Sequence, residues 1–286
     1  MMKLALNTFI YEVGRMKAEE WIRSAGRFHF KYIEWTAYKE GNPVDFEKGR
    51  RKDLVAMFRE SGLYCAQMLL TNVETLASSD PKKRHDTLDY MKRVSDFQLE
   101  LGGRQVLVCW GCGVLERGVM PERSWVLMVD SLREFAEWSH DKGILIDLEL
   151  DPHVYYIVNN TMKMAKVIED VGMANVFPNV DIGHLMITRE SPACLEKLRA
   201  RILQVHLSET DTYEHTNSIL GTGTADFRAY VDKVKELGIE ENCRMHGEPC
   251  VAGIEMGEPG REVEDPEKWV SESLAFLARV LPEVDR

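Results

Sequence analysis

Short apolar segments alternate with long amphipathic segments along nearly the whole chain, and this alternation constrains the fold more than any other feature. Eight segments have strand character, and they cover residues 3–8, 31–37, 64–70, 104–110, 143–149, 176–183, 202–208 and 243–249. The segments between them have helical character, near 17–26, 46–60, 80–101, 121–142, 160–171, 191–200, 226–237 and 265–282. Strands that alternate with helices predict a parallel sheet, because each parallel pair needs a crossover connection.

The length of 286 residues helps to distinguish between the two common parallel-sheet folds, the closed barrel and the open sheet. Eight strand–helix units in a chain of this size predict an α/β fold, a (β/α)8 barrel that forms one domain over residues 1–286. An open doubly wound sheet is the alternative, but no G-x-G-x-x-G follows the first strand. The boundaries have the expected end signals, such as Asp80-Pro81 before one helix and Gly143 after another.

The charge balance excludes several classes of partner. The chain has 36 Lys and Arg against 47 Asp and Glu, so its net charge is −11. Nucleic-acid affinity depends on basic contacts to phosphate, which predicts no nucleic-acid partner. No apolar run reaches the roughly 20 residues of a membrane helix, and no signal peptide is visible. We expect a cytoplasmic protein with six reduced cysteines.

Acidic and histidine side chains collect at the ends of the last four predicted strands. In ILIDLELDPH (144–153) acids interrupt an apolar strand, although an unpaired buried carboxylate is costly. Alternate strand residues face one side, and in a barrel this polar side would face inward at the C-terminal rim. The last polar residue of each strand gives the set Glu149, Asp181, His206 and Glu248.

Three carboxylates and one imidazole in a single barrel mouth would repel each other without a cation. This donor set suits one divalent ion, with Mn²⁺ as the first expectation and Mg²⁺, Co²⁺ or Zn²⁺ as alternatives. The absence of cysteine at these strand ends disfavours a thiolate-type zinc site. The competing interpretation is that each residue is half of a buried hydrogen-bonded pair.

The chain resembles the xylose-isomerase-like barrels, in particular the sugar isomerase/epimerase branch that includes the D-tagatose and D-psicose 3-epimerases. The motifs that carry the resemblance are DLELDPH, NVDIGH, QVHLSE, GTGTADF and HGEP. The resemblance implies that Glu149, Asp181, His206 and Glu248 bind one divalent ion, commonly Mn²⁺. It also implies that the two glutamates act as acid and base on opposite faces of the sugar, and that His184 contacts the substrate.

Two positions depart from the 3-epimerases of that branch. Tyr155 stands where they have a second Glu, and Thr212 stands where they have an Arg. The chain instead has additional histidines near the predicted site, at His153, His246 and His215. A metal-dependent isomerase or epimerase is therefore the first hypothesis. A lyase that acts on a keto-sugar, as the inosose dehydratases and C-glycoside deglycosidases of the branch do, is the second.

Several features complete the predicted site and its surroundings. Trp110 is expected to form a wall of the sugar pocket, as is Trp35, with core packing as the alternative for each. The C-x-x-C that flanks Trp110 lacks a second cysteine pair and does not predict a redox site. Segment 251–265 is predicted to be a long loop that covers the site, contacts a partner such as a second copy or a small second subunit, or is simply ordered. A metal-dependent endonuclease and a non-catalytic sugar-binding barrel are the remaining hypotheses.

Overall fold

The structure is a computed structural model of residues 1–286 and contains a closed barrel of eight parallel strands. The strands are β1 Lys3–Asn7, β2 Tyr32–Ala37, β3 Tyr64–Leu70, β4 Gln105–Val108, β5 Leu145–Glu149, β6 Val176–Asp181, β7 Gln204–Ser208 and β8 Val251–Glu255. Each strand pairs with the next, and β8 pairs with β1 to close the barrel. The predicted (β/α)8 barrel is confirmed.

Helices connect the strands and surround the barrel. They are α1 Phe9–Val13, α2 Ala18–Arg27, α3 Lys48–Ser61, α4 Pro81–Glu100, α5 Pro121–His140, α6 Thr161–Val171, α7 Ile182–Ile187, α8 Phe227–Glu236, α9 Ile239–His246 and α10 Pro266–Val280. Short 3₁₀ helices lie at Lys39–Gly41, Glu74–Ala77, Trp110–Cys112 and Pro192–Leu198. None of these helices combines the length and the apolar character that crossing a bilayer requires.

The eighth predicted strand is wrong. Residues 243–249 form the end of α9 and the turn after it, and β8 begins only at Val251. The buried residues of α9 are Ile239, Asn242 and Cys243, which is helical spacing. The alternating polar residues His246 and Glu248, which suggested a strand, therefore lie at the end of a helix. Gly247, with a φ of 70°, terminates that helix. The predicted loop 251–265 is therefore wrong in its first five residues, which form β8, and the connection to α10 covers only residues 256–265.

Apolar packing between the strands and the helices holds the barrel. A continuous cluster of 74 buried apolar residues fills the space between strands and helices. Trp35 belongs to this cluster, where it packs against Trp21 and Phe97 and donates a hydrogen bond to the Gly41 carbonyl. The expectation that Trp35 forms a pocket wall is therefore wrong, and its core-packing alternative is correct.

The inside of the barrel is unusually polar, and one glycine makes room for a buried carboxylate. Glu34 on β2 is fully buried in the barrel interior. A Cβ atom at Gly253, on β8, would overlap the Glu34 carboxylate. Gly253 is also the β8 partner of His206 in the strand register. A side chain at position 253 would therefore displace Glu34 beneath the site.

Replacing Gly253 by alanine should destabilise the fold. We expect Gly253→Ala to lower the free energy of unfolding by about 1–3 kcal/mol, because the added methyl group overpacks a filled interior. Urea denaturation followed by circular dichroism measures this change. Gly26→Ala is the control: Gly26 lies in α2 with open space around its Cβ position, so this variant should be neutral or stabilising. Equal effects in the two variants would contradict the packing argument.

Candidate metal centre and substrate pocket

Four side chains from four consecutive strands converge at the C-terminal mouth of the barrel. Glu149 ends β5, Asp181 ends β6, His206 lies in β7 and Glu255 ends β8. Each offers one potential ligand atom, and these four atoms lie within 4.8 Å of one another. The sequence-predicted residues Glu149, Asp181 and His206 are thus brought together, and Glu255 completes the group.

The His206 ring lies at the centre of this group. Its Nδ1 atom is 2.6 Å from Glu255 Oε2, 3.2 Å from Glu149 Oε1 and 3.9 Å from Asp181 Oδ2. The ring is fully buried, so solvent does not screen these carboxylates from the imidazole. One nitrogen of His206 therefore faces all three acids.

The other ring nitrogen is fixed by groups deeper in the barrel. Gln67 donates a 2.8 Å hydrogen bond from its amide nitrogen to Asp147 Oδ2, which leaves its oxygen as the acceptor. That oxygen lies 3.0 Å from His206 Nε2, so Nε2 carries the hydrogen and donates it. In the neutral ring, Nδ1 is then left with its lone pair toward the carboxylates. This arrangement is the usual outer support of a metal-ligating histidine.

The buried oxygen atoms in this group outnumber the hydrogen-bond donors. Asp181 Oδ2 has no hydrogen-bond partner, and Glu255 Oε2 faces only His206 Nδ1, an atom that the Glu149 carboxylate also approaches. Buried polar atoms are normally satisfied, so this excess of acceptors around one point indicates a missing cation. Carboxylate oxygen together with imidazole nitrogen fits a divalent first-row ion or Mg²⁺. The residues present therefore fit the predicted metal ion.

The pKa values of these side chains also indicate that the site lacks a cation. Burial, followed by neighbouring carboxylates, raises the pKa of Glu149 to about 8 and that of Asp181 to about 6. Burial alone would lower the pKa of His206, but the carboxylates of Glu34 and Glu255 outweigh it and raise that pKa well above the ordinary value. Burial would raise the pKa of Glu255, but His206 in turn holds it below its ordinary value. Without a cation, protons on Glu149 and His206 therefore offset part of the negative charge at neutral pH.

The D-x-x-H spacing of strand six has a local structural cause. Asp181 is the N-cap of α7, and its Oδ1 accepts hydrogen bonds from the backbone N–H of His184 at 2.7 Å and from Ser208 Oγ at 2.6 Å. A capping side chain bonds to the backbone two or three residues later, which fixes this spacing. Asp181 thus places His184 in the first turn of α7 while its second oxygen stays free.

His184 is a neutral, buried side chain beside the metal group. Its Nδ1 lies 2.7 Å from the Leu150 carbonyl oxygen, so Nδ1 carries the hydrogen. Its Nε2 therefore accepts from His215 Nε2, 2.5 Å away. Burial lowers the pKa of His184 to about 4, which keeps the ring uncharged at neutral pH. His215 comes from the loop after β7.

The structure does not place Glu248 or His246 at this mouth. Glu248 accepts a 2.9 Å hydrogen bond from the hydroxyl of Tyr64, the first residue of β3. It also lies 2.5 Å from the guanidinium of Arg104, the residue just before β4. His246 packs edge-on against Phe177, near the start of β6. Both lie at the N-terminal end of the barrel, so the predictions for these two residues are wrong. The misassigned eighth strand caused both errors.

Trp110 and His153 lie around the opening of the site. Trp110 lines a narrow cavity of about 30 Å³ whose wall includes Glu149, Glu255 and His184. Both Trp110 and His153 line a wider space of about 360 Å³ outside it, which we call the vestibule. The indole N–H of Trp110 bonds to the Thr71 carbonyl, which fixes the ring in the wall.

The GTGTADF motif supports the loop after β7. Glu209 is buried, and its carboxylate accepts hydrogen bonds from the backbone N–H groups of Gly221 at 2.7 Å and Ala225 at 3.0 Å. Asp226 of the same motif caps α8 through the Ala229 N–H. The motif is therefore structural, and it closes the loop that carries His215.

Sequence reasoning missed Glu255 and the support beneath His206. Glu255 follows the apolar run VAGI, just as Glu149 follows a largely apolar strand, so the run itself was an available signal. Gln67 and His206 are 139 positions apart in the sequence, so no local sequence pattern predicts their contact.

Comparisons with known proteins agree with this geometry. A family model described as "Xylose isomerase-like TIM barrel" matches residues 20–280. An L-ribulose 3-epimerase of Methylomonas sp. (strain DH-1) is 24% identical over 229 residues, covering 77% of this chain and 74% of that protein.

Solved structures share the whole fold. A D-allulose 3-epimerase from Methylomonas sp. superposes with a TM-score of 0.79 at 19% identity and 98% coverage of both chains. The IOLI protein, solved with a zinc atom, superposes with a TM-score of 0.80 at 18% identity and 99% coverage of both chains. With the family model matching most of its length, this chain belongs to the xylose isomerase-like TIM barrel family.

Proposed function

We propose that this protein is a divalent-metal-dependent sugar epimerase or isomerase that removes a proton next to a substrate carbonyl. The observation that carries the proposal is the convergence of Glu149, Asp181, His206 and Glu255 within 4.8 Å at the barrel mouth. A divalent ion held there, with Mn²⁺ as the first expectation, would supply Lewis-acid stabilisation of charge on the carbonyl oxygen.

Side chains of the protein would transfer the proton and hold the metal ion. Glu149 and Glu255 are the candidate acid and base, because they come from strands on either side of β6 and β7. One carboxylate takes the proton from the carbon beside the carbonyl, and the other returns a proton to the opposite face, which inverts that carbon. Asp181 and His206 complete the ion's ligands. Neutral His184 lines the cavity beside them, where its hydrogen bonds to Leu150 and His215 hold the ring in place.

The relatives favour epimerisation over the lyase alternative. Both the sequence relative and the superposed D-allulose enzyme are 3-epimerases by name. The two positions at which this chain differs from the 3-epimerases, Tyr155 and Thr212, lie outside the metal group. Tyr155 is half-exposed in the vestibule wall, and Thr212 lies in the loop after β7. They bear on which sugar is accepted, whereas the two glutamates that would transfer the proton and the other two metal ligands are present.

Replacing Glu255 should weaken metal binding, whereas replacing Glu248 should not. We expect Glu255→Gln to weaken Mn²⁺ binding by more than about tenfold, because a charged ligand becomes a neutral amide. Calorimetric titration of Mn²⁺ into metal-stripped protein measures this. Glu248→Gln is the matched control, since that glutamate is buried at the other end of the barrel. Equal loss in both variants, or loss only in Glu248→Gln, would refute the ligand set.

Metal binding should raise thermal stability more at pH 8 than at pH 5.5. A carboxyl whose pKa is higher in the folded chain stabilises the fold at low pH, and this contribution is lost as the pH rises through the folded value. That value is about 8 for Glu149 and about 6 for Asp181. A bound cation replaces the lost protons, so the increase in Tm on adding Mn²⁺ should be larger at the higher pH. Thermal scans at both pH values check this, and a larger increase at pH 5.5 would contradict it.

Proton exchange tests the assigned acid and base. Wild-type protein with Mn²⁺ should incorporate deuterium from heavy water into L-ribulose or D-allulose, as detected by NMR. We expect Glu149→Gln and Glu255→Gln each to lower the exchange rate by about 10²–10⁴-fold, the usual contribution of a positioned acid or base. Glu248→Gln should keep the wild-type rate. Undiminished exchange in both site variants would show that other groups move the proton.

A further inference from the structure

The site has two chambers of very different size. The inner cavity beside Glu149 and Glu255 has a volume of about 30 Å³, room for little more than the reacting end of a substrate. The vestibule outside it measures about 360 Å³, which is the size of a small-molecule pocket in its own right. Thr71, Trp110 and His215 line both spaces. A substrate that reaches the acids therefore leaves most of its volume in the vestibule.

Aromatic rings form a continuous line along the vestibule toward the metal group. Trp110 and Tyr156 stack with centroids 6.4 Å apart and planes 13° from parallel. Tyr155 lies 4.6 Å from Tyr156 and stacks on His153 at 5.5 Å. His153 then meets His215 at 6.3 Å, and that ring contacts His184. Flat surfaces of this kind bind ring-shaped groups by stacking.

The acidic side chains of the vestibule provide hydrogen-bond acceptors. Its lining includes the carboxylates of Glu74, Asp151 and Glu258 and contains no lysine or arginine. The nearby cations Lys39 and Arg261 line a separate groove. Such a lining accepts hydrogen bonds from hydroxyl groups and repels phosphate.

Asp151 supplies an independent sign of a missing ligand. It is only 3% exposed and lies in the walls of both chambers. Its Oδ1 atom is buried and has no hydrogen-bond partner. A buried carboxylate oxygen without a partner, at the passage between the two chambers, is placed to accept a hydrogen bond from a substrate hydroxyl.

We propose that the vestibule is a binding subsite for the second ring of a glycoside whose sugar carries a ketone on a ring carbon. The preferred substrate is then a keto-sugar with an uncharged ring substituent rather than a free or phosphorylated monosaccharide. This proposal rests on the proposed function for the inner site. The substituent ring stacks on the aromatic line, and its hydroxyl groups reach Glu74 or Glu258. The sugar hydroxyl nearest the passage donates to Asp151, and the reacting carbon enters the inner cavity.

Binding of phenyl β-D-glucopyranoside tests the subsite without requiring turnover. We expect the Mn²⁺-loaded protein to bind this probe at least about tenfold more tightly than D-glucose or D-glucose 6-phosphate, as measured by calorimetry. Tyr155→Ala should weaken binding of the phenyl glucoside about fivefold or more and leave binding of D-glucose unchanged. Asp151→Asn should weaken both, because the sugar itself contacts that side chain. Equal affinity for all three probes would overturn the proposal.

Tyr213→Ala is the matched control. Tyr213 is 81% exposed on the neighbouring loop and does not line the vestibule, so this variant should bind the phenyl glucoside as the wild type does. Equal weakening in Tyr155→Ala and Tyr213→Ala would also overturn the subsite. The two proposals fail separately. Tyr155-dependent binding without deuterium exchange into either a free ketose or a phenyl keto-glycoside would remove only the proposed function, and exchange without such binding would remove only the subsite.

Discussion

The structure depends on the neutralisation of charge at the barrel mouth. Glu149, Asp181 and Glu255 surround one nitrogen of His206, and all but Glu255, which is partly exposed, are buried. Unpaired buried carboxylates are among the costliest features that a fold can carry. Groups deeper in the barrel support the neutralisation of this charge. Gln67 bonds to His206 and fixes the ring in the orientation that a bound cation would need. The stability of the mouth and its proposed chemistry therefore have the same physical origin.

The mouth of the barrel has two unlike sides. Near the mouth, β3 and β4 contribute an apolar cluster of Leu69, Leu107 and Cys109 that packs against Trp110. Strands β5 to β8 contribute all of the acids and the histidine of the metal group. One wall can exclude water and contact apolar surface, while the opposite wall can bind charge. A substrate held between them contacts the apolar wall on one side and the metal group on the other.

The loop after β5 links the proposed chemistry to the proposed recognition. It leaves the metal group at Glu149, passes Asp151 at the passage and presents Tyr155 and Tyr156 to the vestibule. Changes in the outer part of this loop can alter the accepted substituent while the strand ends stay fixed. This is the general way in which barrel enzymes vary specificity without changing the scaffold.

The sequence by itself determined the barrel and three members of the metal group. Strand–helix alternation and strand-end polarity are local, so Glu149, Asp181 and His206 were found from their own segments. The fourth member was decided only by tertiary structure, because the end of α9 has the polar alternation of a strand. Pairing of β8 with β1, with Lys3 opposite Val251, fixes which glutamate reaches the mouth, and that closure joins the two ends of the chain. The contacts of Gln67 and the vestibule likewise arise only when distant segments pack together.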